Sequence, residues 1–251
     1  MNFGHGLDAL KQLQSQEKAR EGGGFENKFT SLKSGDSIKV KILSVEDFIV
    51  APTYNAYKLF NTFTPEVPPV LNDRGYPTDK LTPLDKVSKF YREQSEGFGD
   101  EMANKAYQFA LKTRIAMGFY SLEEEKPIII DFTVKQALGL IETIQKNHKK
   151  LGTKAFEVSK SGSKTDTTAR LDVLDADETD LTEKELKAFK NAPKEFDKSM
   201  FENLYFKRDE KSMIQLLHEV GFDVTLIGEE VPVQVEKKEE VKEELNPEDA
   251  F

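Results

Sequence analysis

The chain has 251 residues, with 36 Lys and Arg against 45 Asp and Glu, a formal net charge of -9, 37% hydrophobic residues, three His and neither Cys nor Trp. That length suits one good-sized domain with appendages, or two small domains, and it buries a core without covalent staples. The lack of cysteine excludes a thiol nucleophile, a thiolate zinc site and an iron–sulfur cluster, and makes a reducing cytoplasm the natural compartment.

Residues 1–24 carry Leu7, Leu10 and Leu13 at helical spacing and stop at Gly22, Gly23 and Gly24, which reads as a short arm on a flexible joint. A body at 25–175 follows. Ser34, Gly35 and Asp36 form a turn signal; Ile38, Val40 and Ile42 then alternate with Lys39 and Lys41, a half-buried strand with a basic outer face. "AYKLFNTF" predicts a second strand near 56–63. From 64 to 104 the chain reads as a long insertion, because Pro65, Pro68, Pro69, Pro77 and Pro83 interrupt regular structure and leave room for a helix only around 84–91.

In "AYQFALKTRIAMGFYSL" the apolar residues Tyr107, Phe109, Leu111, Ile115, Met117 and Phe119 fall on one face of a strand, the strongest strand signal in the chain. "PIIIDFTV" is another. Ala137, Leu138, Leu140, Ile141 and Ile144 recur at helical spacing over 134–148, and "AFEVSKSGSKTDTTARLDVL" reads as a β-hairpin. Thr182 and Glu185 have capping-box spacing for a helix that stops before Pro193; a second helix is expected over 211–220, within a helical extension at 176–228. Residues 229–251, with three basic and nine acidic groups and little to bury, are expected to be a disordered acidic tail. Five strands with one internal helix predict a mainly β fold with α additions, a small closed barrel of the oligonucleotide-binding type.

Catalytic motifs are missing from the sequence: there is no Gly-rich phosphate loop, no His–Glu–x–x–His and no Gly–x–Ser–x–Gly. His5, His148 and His218 lie in the arm and on two helices, where solvent-facing positions account for them. "DADETDLTEKEL" fails as a calcium loop, since Asp180 replaces the turn glycine and Leu186 the bidentate Glu. The expectation is a protein with no enzymatic activity and no cofactor. No stretch reaches the roughly 18 apolar residues of a membrane span and no signal peptide is apparent, so a soluble protein with no membrane partner is expected.

Charge is unevenly spread: residues 25–170 hold 22 basic and 19 acidic groups, while 171–228 hold 8 and 14. A mildly basic body before an acidic end suits a polyanionic partner. Six of the seven tyrosines lie between 54 and 120, interleaved with cations, which is the pairing that single-stranded nucleic acid uses for base stacking and phosphate contact. Tyr57, Lys58, Tyr91, Tyr107, Lys112, Arg114 and Tyr120 are the candidates from this stretch; barrel core accounts for Phe109, Ile115 and Phe119, and a solvated strand face is the plainer account of the lysines.

"SLKSGDSIKVKIL", the hairpin "AFEVSKSGSKTDTTARLDVL" and the ending "NPEDAF" together resemble the single-stranded-DNA-binding proteins of tailed bacteriophages, of the helix-destabilising replicative type. The resemblance implies an oligonucleotide-binding barrel in the host cell cytoplasm, coating single-stranded DNA in phage DNA replication, recombination and repair. It implies that Lys39, Lys41, Lys160, Lys164 and Arg170 belong to the phosphate-binding surface; separately, the position of the 1–24 arm before its glycine joint suggests that it bridges neighbouring molecules in self-association on DNA. The tail, through Glu248, Asp249 and Phe251, would compete with DNA and recruit phage replication and recombination proteins. Two features depart from the family: without Cys the chain cannot build the structural zinc site of some members, and Ala169 stands where an aromatic is expected. The alternatives are a non-enzymatic protein-interaction module with a nucleic-acid-mimicking tail, and a metal-dependent nuclease with scattered carboxylates.

Overall fold

The computed structural model describes residues 28–163, 166–177 and 179–232. In chain order it contains strands β1 (Ser37–Lys41), β2 (Phe48–Ala56), β3 (Phe60–Pro65), β4 (Val70–Leu71) and β5 (Pro77–Asp79), helices α1 (Pro83–Glu93) and α2 (Glu101–Phe109), and strands β6 (Lys112–Ser121) and β7 (Lys126–Thr133). Helix α3 (Val134–Lys146), strands β8 (Lys154–Ser161) and β9 (Thr168–Asp175), helix α4 (Glu183–Asn191), strand β10 (Phe206–Arg208) and helix α5 (Glu210–Glu219) follow.

Eight strands form one mixed sheet in the order β10-β3-β2-β6-β1-β8-β9, with β7 also paired to β6; β4 and β5 make a separate hairpin. The long β6 organises it. Its first half pairs with β2 (Met117 opposite Phe48), its end with β1 (Tyr120 opposite Lys41), and Arg114 to Ser121 pair with β7 along its other edge. The sheet is open, and the expected closed barrel is overturned. Closure would need a ladder between β7 and β9, but among the strands β7 pairs with β6 alone and β9 with β8 alone. Helix α3 packs against both instead, and its Ala137, Leu140 and Ile144 satisfy the apolar faces there without a ladder.

One face of the sheet buries Val40, Ile42, Ile115, Met117, Phe119, Ile130, Phe132, Phe156 and Val158 against α3. The other face is also covered, by the chain after β9. Phe196, Leu204 and Tyr205 lie over Ala51, Ala116 and Ile129, while Leu181, Ala188 and Phe189 lie over Tyr120, Leu122 and Ala155. This double cover explains "PIIIDFTV": successive isoleucines point to opposite faces, and Ile128, Ile129 and Ile130 are all buried. At Gly118 the absence of a side chain is required, because a Cβ there would stand 2.6 Å from the Phe196 ring.

A second apolar cluster joins the insertion to the C-terminal helix: Tyr54, Phe63, Leu84, Val87 and Phe109 pack with Met213, Leu217 and Phe222. The insertion is therefore more regular than its prolines indicate. Pro83 sits in the first turn of α1, where its missing N–H costs nothing, after the capping box of Thr82 and Asp85. Tyr107 and Phe109, expected in a strand, end helix α2; the Asp100 carboxylate accepts from the Ala103 N–H and starts that helix. The helices at 134–146 and 183–191, the β8–β9 hairpin and α5 lie within a residue or two of their expected places. No helix among the described residues is long and apolar enough to cross a membrane. The arm at 1–24 and nearly all of the acidic tail lie outside the described residues.

Candidate interaction surface

The two lysines on the outer face of β1 are half-buried against the extension. Lys39 Nζ donates to the Asp180 carbonyl at 2.8 Å and pairs with Glu185 at 3.2 Å, the same carboxylate that closes the Thr182 capping box of α4. Lys41 Nζ donates to the Phe189 carbonyl at 3.0 Å and stands 4.4 Å from that ring's centroid; burial lowers its pKa. Tyr120 is buried beneath α4 and its hydroxyl donates to the Glu125 carbonyl. Tyr91 is half-buried, stacked on Phe109 at 6.1 Å between centroids and edge-on to Phe222. Arg170 is exposed and pairs with Asp172 two residues along β9. Lys164, Glu248, Asp249 and Phe251 lie outside the described residues.

The remaining candidates gather near the start of β6. The β2–β3 turn places Lys58 at φ 66, a left-handed conformation uncommon outside glycine, and leaves Tyr57 90% exposed at its tip with Lys58 Nζ 5.4 Å from the ring centroid. Tyr107, 68% exposed at the end of α2, has Lys112 Nζ 5.1 Å from its centroid. Lys112 also donates to the carbonyls of Asn55 and Gln108, which ties the end of α2 to the hairpin and brings both tyrosines to one end of the sheet. Burial, with a smaller contribution from Arg114, pushes the Lys112 pKa down to about 8.

Two residues further along β6, Arg114 Nε donates to both oxygens of Asp131 at 3.1 and 3.0 Å, and Nη2 donates to Oδ2 at 2.7 Å. The Tyr205 hydroxyl donates to Asp131 Oδ1 at 3.0 Å, and its pKa is raised by burial and by that carboxylate. Beside this group a shallow cleft of ≈ 280 Å³ is lined by Phe29, Thr30, Ser31, Leu32, Asp131 and Lys160. Sequence reasoning missed Asp131, Tyr205 and residues 29–32. A carboxylate inside the apolar run "PIIIDFTV" was the available signal, since a half-buried Asp needs a fixed cation nearby.

The structure thus brings Tyr57, Lys58, Tyr107, Lys112 and Arg114 to one end of the sheet and draws Lys39, Lys41 and Tyr120 under the extension. Among the described residues, no group of three or more His, Asp or Glu is arranged to hold a metal ion. The expectation of a phage single-stranded-DNA-binding protein, with its roles in replication, recombination and repair, is overturned. The sheet is open, so the barrel groove on which that function rests is not formed, and the basic face of β1 is packed against α4. Comparison with models of known protein families, with curated proteins and with solved structures finds no match in any of the three.

Proposed function

We propose that this chain is a non-enzymatic protein-interaction module of the cytoplasm, which meets its partner through the aromatic end of the sheet formed by Tyr57, Lys58, Tyr107 and Lys112. The observation that carries this reading is Tyr57, 90% exposed on a turn whose backbone is held in a conformation that lysine rarely adopts. An exposed aromatic ring at the tip of a hairpin gains free energy when a partner covers it, and tyrosine is among the residues that dominate protein–protein contacts. The ammonium groups of Lys58 and Lys112 stand 5.4 and 5.1 Å from the centroids of the two rings. Lys112 is spent on two carbonyls of its own chain, so the patch is an aromatic surface more than a cationic one. The buried ionisable groups serve the fold: Asp85 closes a helix cap and Asp131 anchors Arg114.

The test compares the full chain with a Tyr57→Ser, Tyr107→Ser double variant as baits, followed by direct binding of any protein retained by the first alone. One or more partners bound at least about tenfold more weakly by the variant, some 1.4 kcal/mol, is the expected outcome. Identical retention by both baits rejects the surface.

A further inference from the structure

The cleft beside Asp131 carries a cation that its surroundings do not neutralise. Its charged lining residues are Asp131 and Lys160, and Arg114 pairs with Asp131 from outside that lining. The carboxylate of Asp131 is fully engaged by three contacts from Arg114 and one from Tyr205. Lys160, whose ammonium has three protons to donate, makes one long hydrogen bond, 3.4 Å, to the Asp131 carbonyl, and lies 4.9 Å from the Phe132 ring centroid. Burial and the nearby Arg114 both lower the Lys160 pKa, and Asp131 opposes them more weakly. With Asp131 already paired to Arg114, the Lys160 charge remains in a cleft of ≈ 280 Å³ whose lining also includes Phe29 and Leu32. That volume is just below the roughly 300–1,000 Å³ of small-molecule pockets and suits a group the size of one side chain.

We infer that this cleft receives one carboxylate side chain, a Glu or Asp of the partner protein, on the Lys160 ammonium. The inference rests on the interaction-module reading and states what the partner must present: a single acidic side chain whose stem contacts Phe29 and Leu32. A polyanion fits less well, because Lys160 is the single cation in the cleft's lining, whereas a phosphate backbone is met by a row of cations. Lys39 is held by Glu185, Lys41 by the Phe189 carbonyl and Arg170 by Asp172. One charge is free in the cleft, and one charge is what a carboxylate brings.

The test is a titration of the full chain, followed by amide NMR, with N-acetylglutamate methylamide, with its glutamine counterpart and with inorganic phosphate. Saturable shifts are expected at Ser31, Leu32, Asp131 and Lys160 with the glutamate probe, about tenfold weaker with the glutamine probe, where the charge-assisted hydrogen bond is lost. Lys160→Gln removes the response and leaves the rest of the spectrum unchanged, while Lys160→Arg keeps it. A tighter response to phosphate, no saturable response, or a response that survives in Lys160→Gln overturns the assignment. The probe needs neither Tyr57 nor Tyr107, so the two readings fail separately. Partner capture without a glutamate response fails the cleft, and a glutamate response in a chain that captures no partner fails the aromatic surface and leaves the cleft without its protein ligand.

Discussion

Gly118 and Asp85 show how single positions constrain this molecule. The Phe196 ring lies against the Gly118 backbone, and a methyl group there would fall 2.6 Å from it. Gly118→Ala should therefore cost about 1–3 kcal/mol, the usual range for overpacking, measured as a shift in the urea midpoint. Phe196→Ala in the same chain removes the clash, so the double variant should be more stable than the two single losses added together. Asp85 is buried, and burial raises its pKa above 3.8 despite hydrogen bonds from Tyr54 and Thr82. The folded state then binds the proton more tightly than the unfolded chain, so stability falls as pH rises from 3.8 through the raised value. Asp85→Asn keeps an acceptor for Thr82 and should abolish that fall in a series of urea midpoints against pH. The cap carboxylates work in the opposite direction: hydrogen bonds to Ala103, Ser212 and Thr225 lower Asp100, Asp209 and Asp223, and the stability they add is lost as pH falls below 3.8. Of these features the sequence displays the cap spacings but not the burial of Asp85, whose cap partner Thr82 is hydrogen-bonded by Tyr54 from strand β2.

Helix α4 holds its place through Phe189, packed with Leu181 and Ala188 over Tyr120, Leu122 and Ala155 and crossed by the Lys41 ammonium. Phe189→Ala should cost about 3–5 kcal/mol by thermal or urea unfolding, the range for a buried aromatic. At this scale the sequence was informative where a period was uninterrupted and a cap was present: α3, α4, α5 and the β8–β9 hairpin lie close to their expected places. It misled at 106–110, because Tyr107, Phe109 and Leu111 alternate as a strand would, while the helix is decided by the Asp100 cap and by Ala106 and Phe109 facing the insertion. It was silent on the fate of Lys39 and Lys41. Their partners are a carboxylate and carbonyls on helix α4 and the turn before it, more than 140 residues later, and an alternation of Ile and Lys reads the same whether the outer face meets water or a helix.

Over the whole molecule, two apolar clusters are joined by strands they share. Strand β2 contributes Ala51 to the cover of the main sheet and Tyr54 to the cluster of the insertion and α5. The expectation of a closed barrel failed at this scale for a physical reason: strand number and strand pattern are local properties, whereas closure depends on whether β7 finds β9 or a helix fills the space between. The aromatic surface was half legible. Tyr57, Tyr107, Lys58 and Lys112 are conspicuous in the sequence, but only the fold separates them from Tyr91 and Tyr120, which are spent on packing.

The cover over the outer face of the sheet also sets a schedule for synthesis. Residues 37–175 supply all the strands of the main sheet except the short β10, and the segment that seals Ala116, Ile129, Tyr120 and Leu122 lies later in the chain, between 181 and 205. At roughly 5–20 residues per second, those later residues take on the order of 1–6 s to be made. For that interval the nascent sheet has one apolar face sealed by α3 and the other open, a natural moment for chaperone contact and for association between chains on the same messenger.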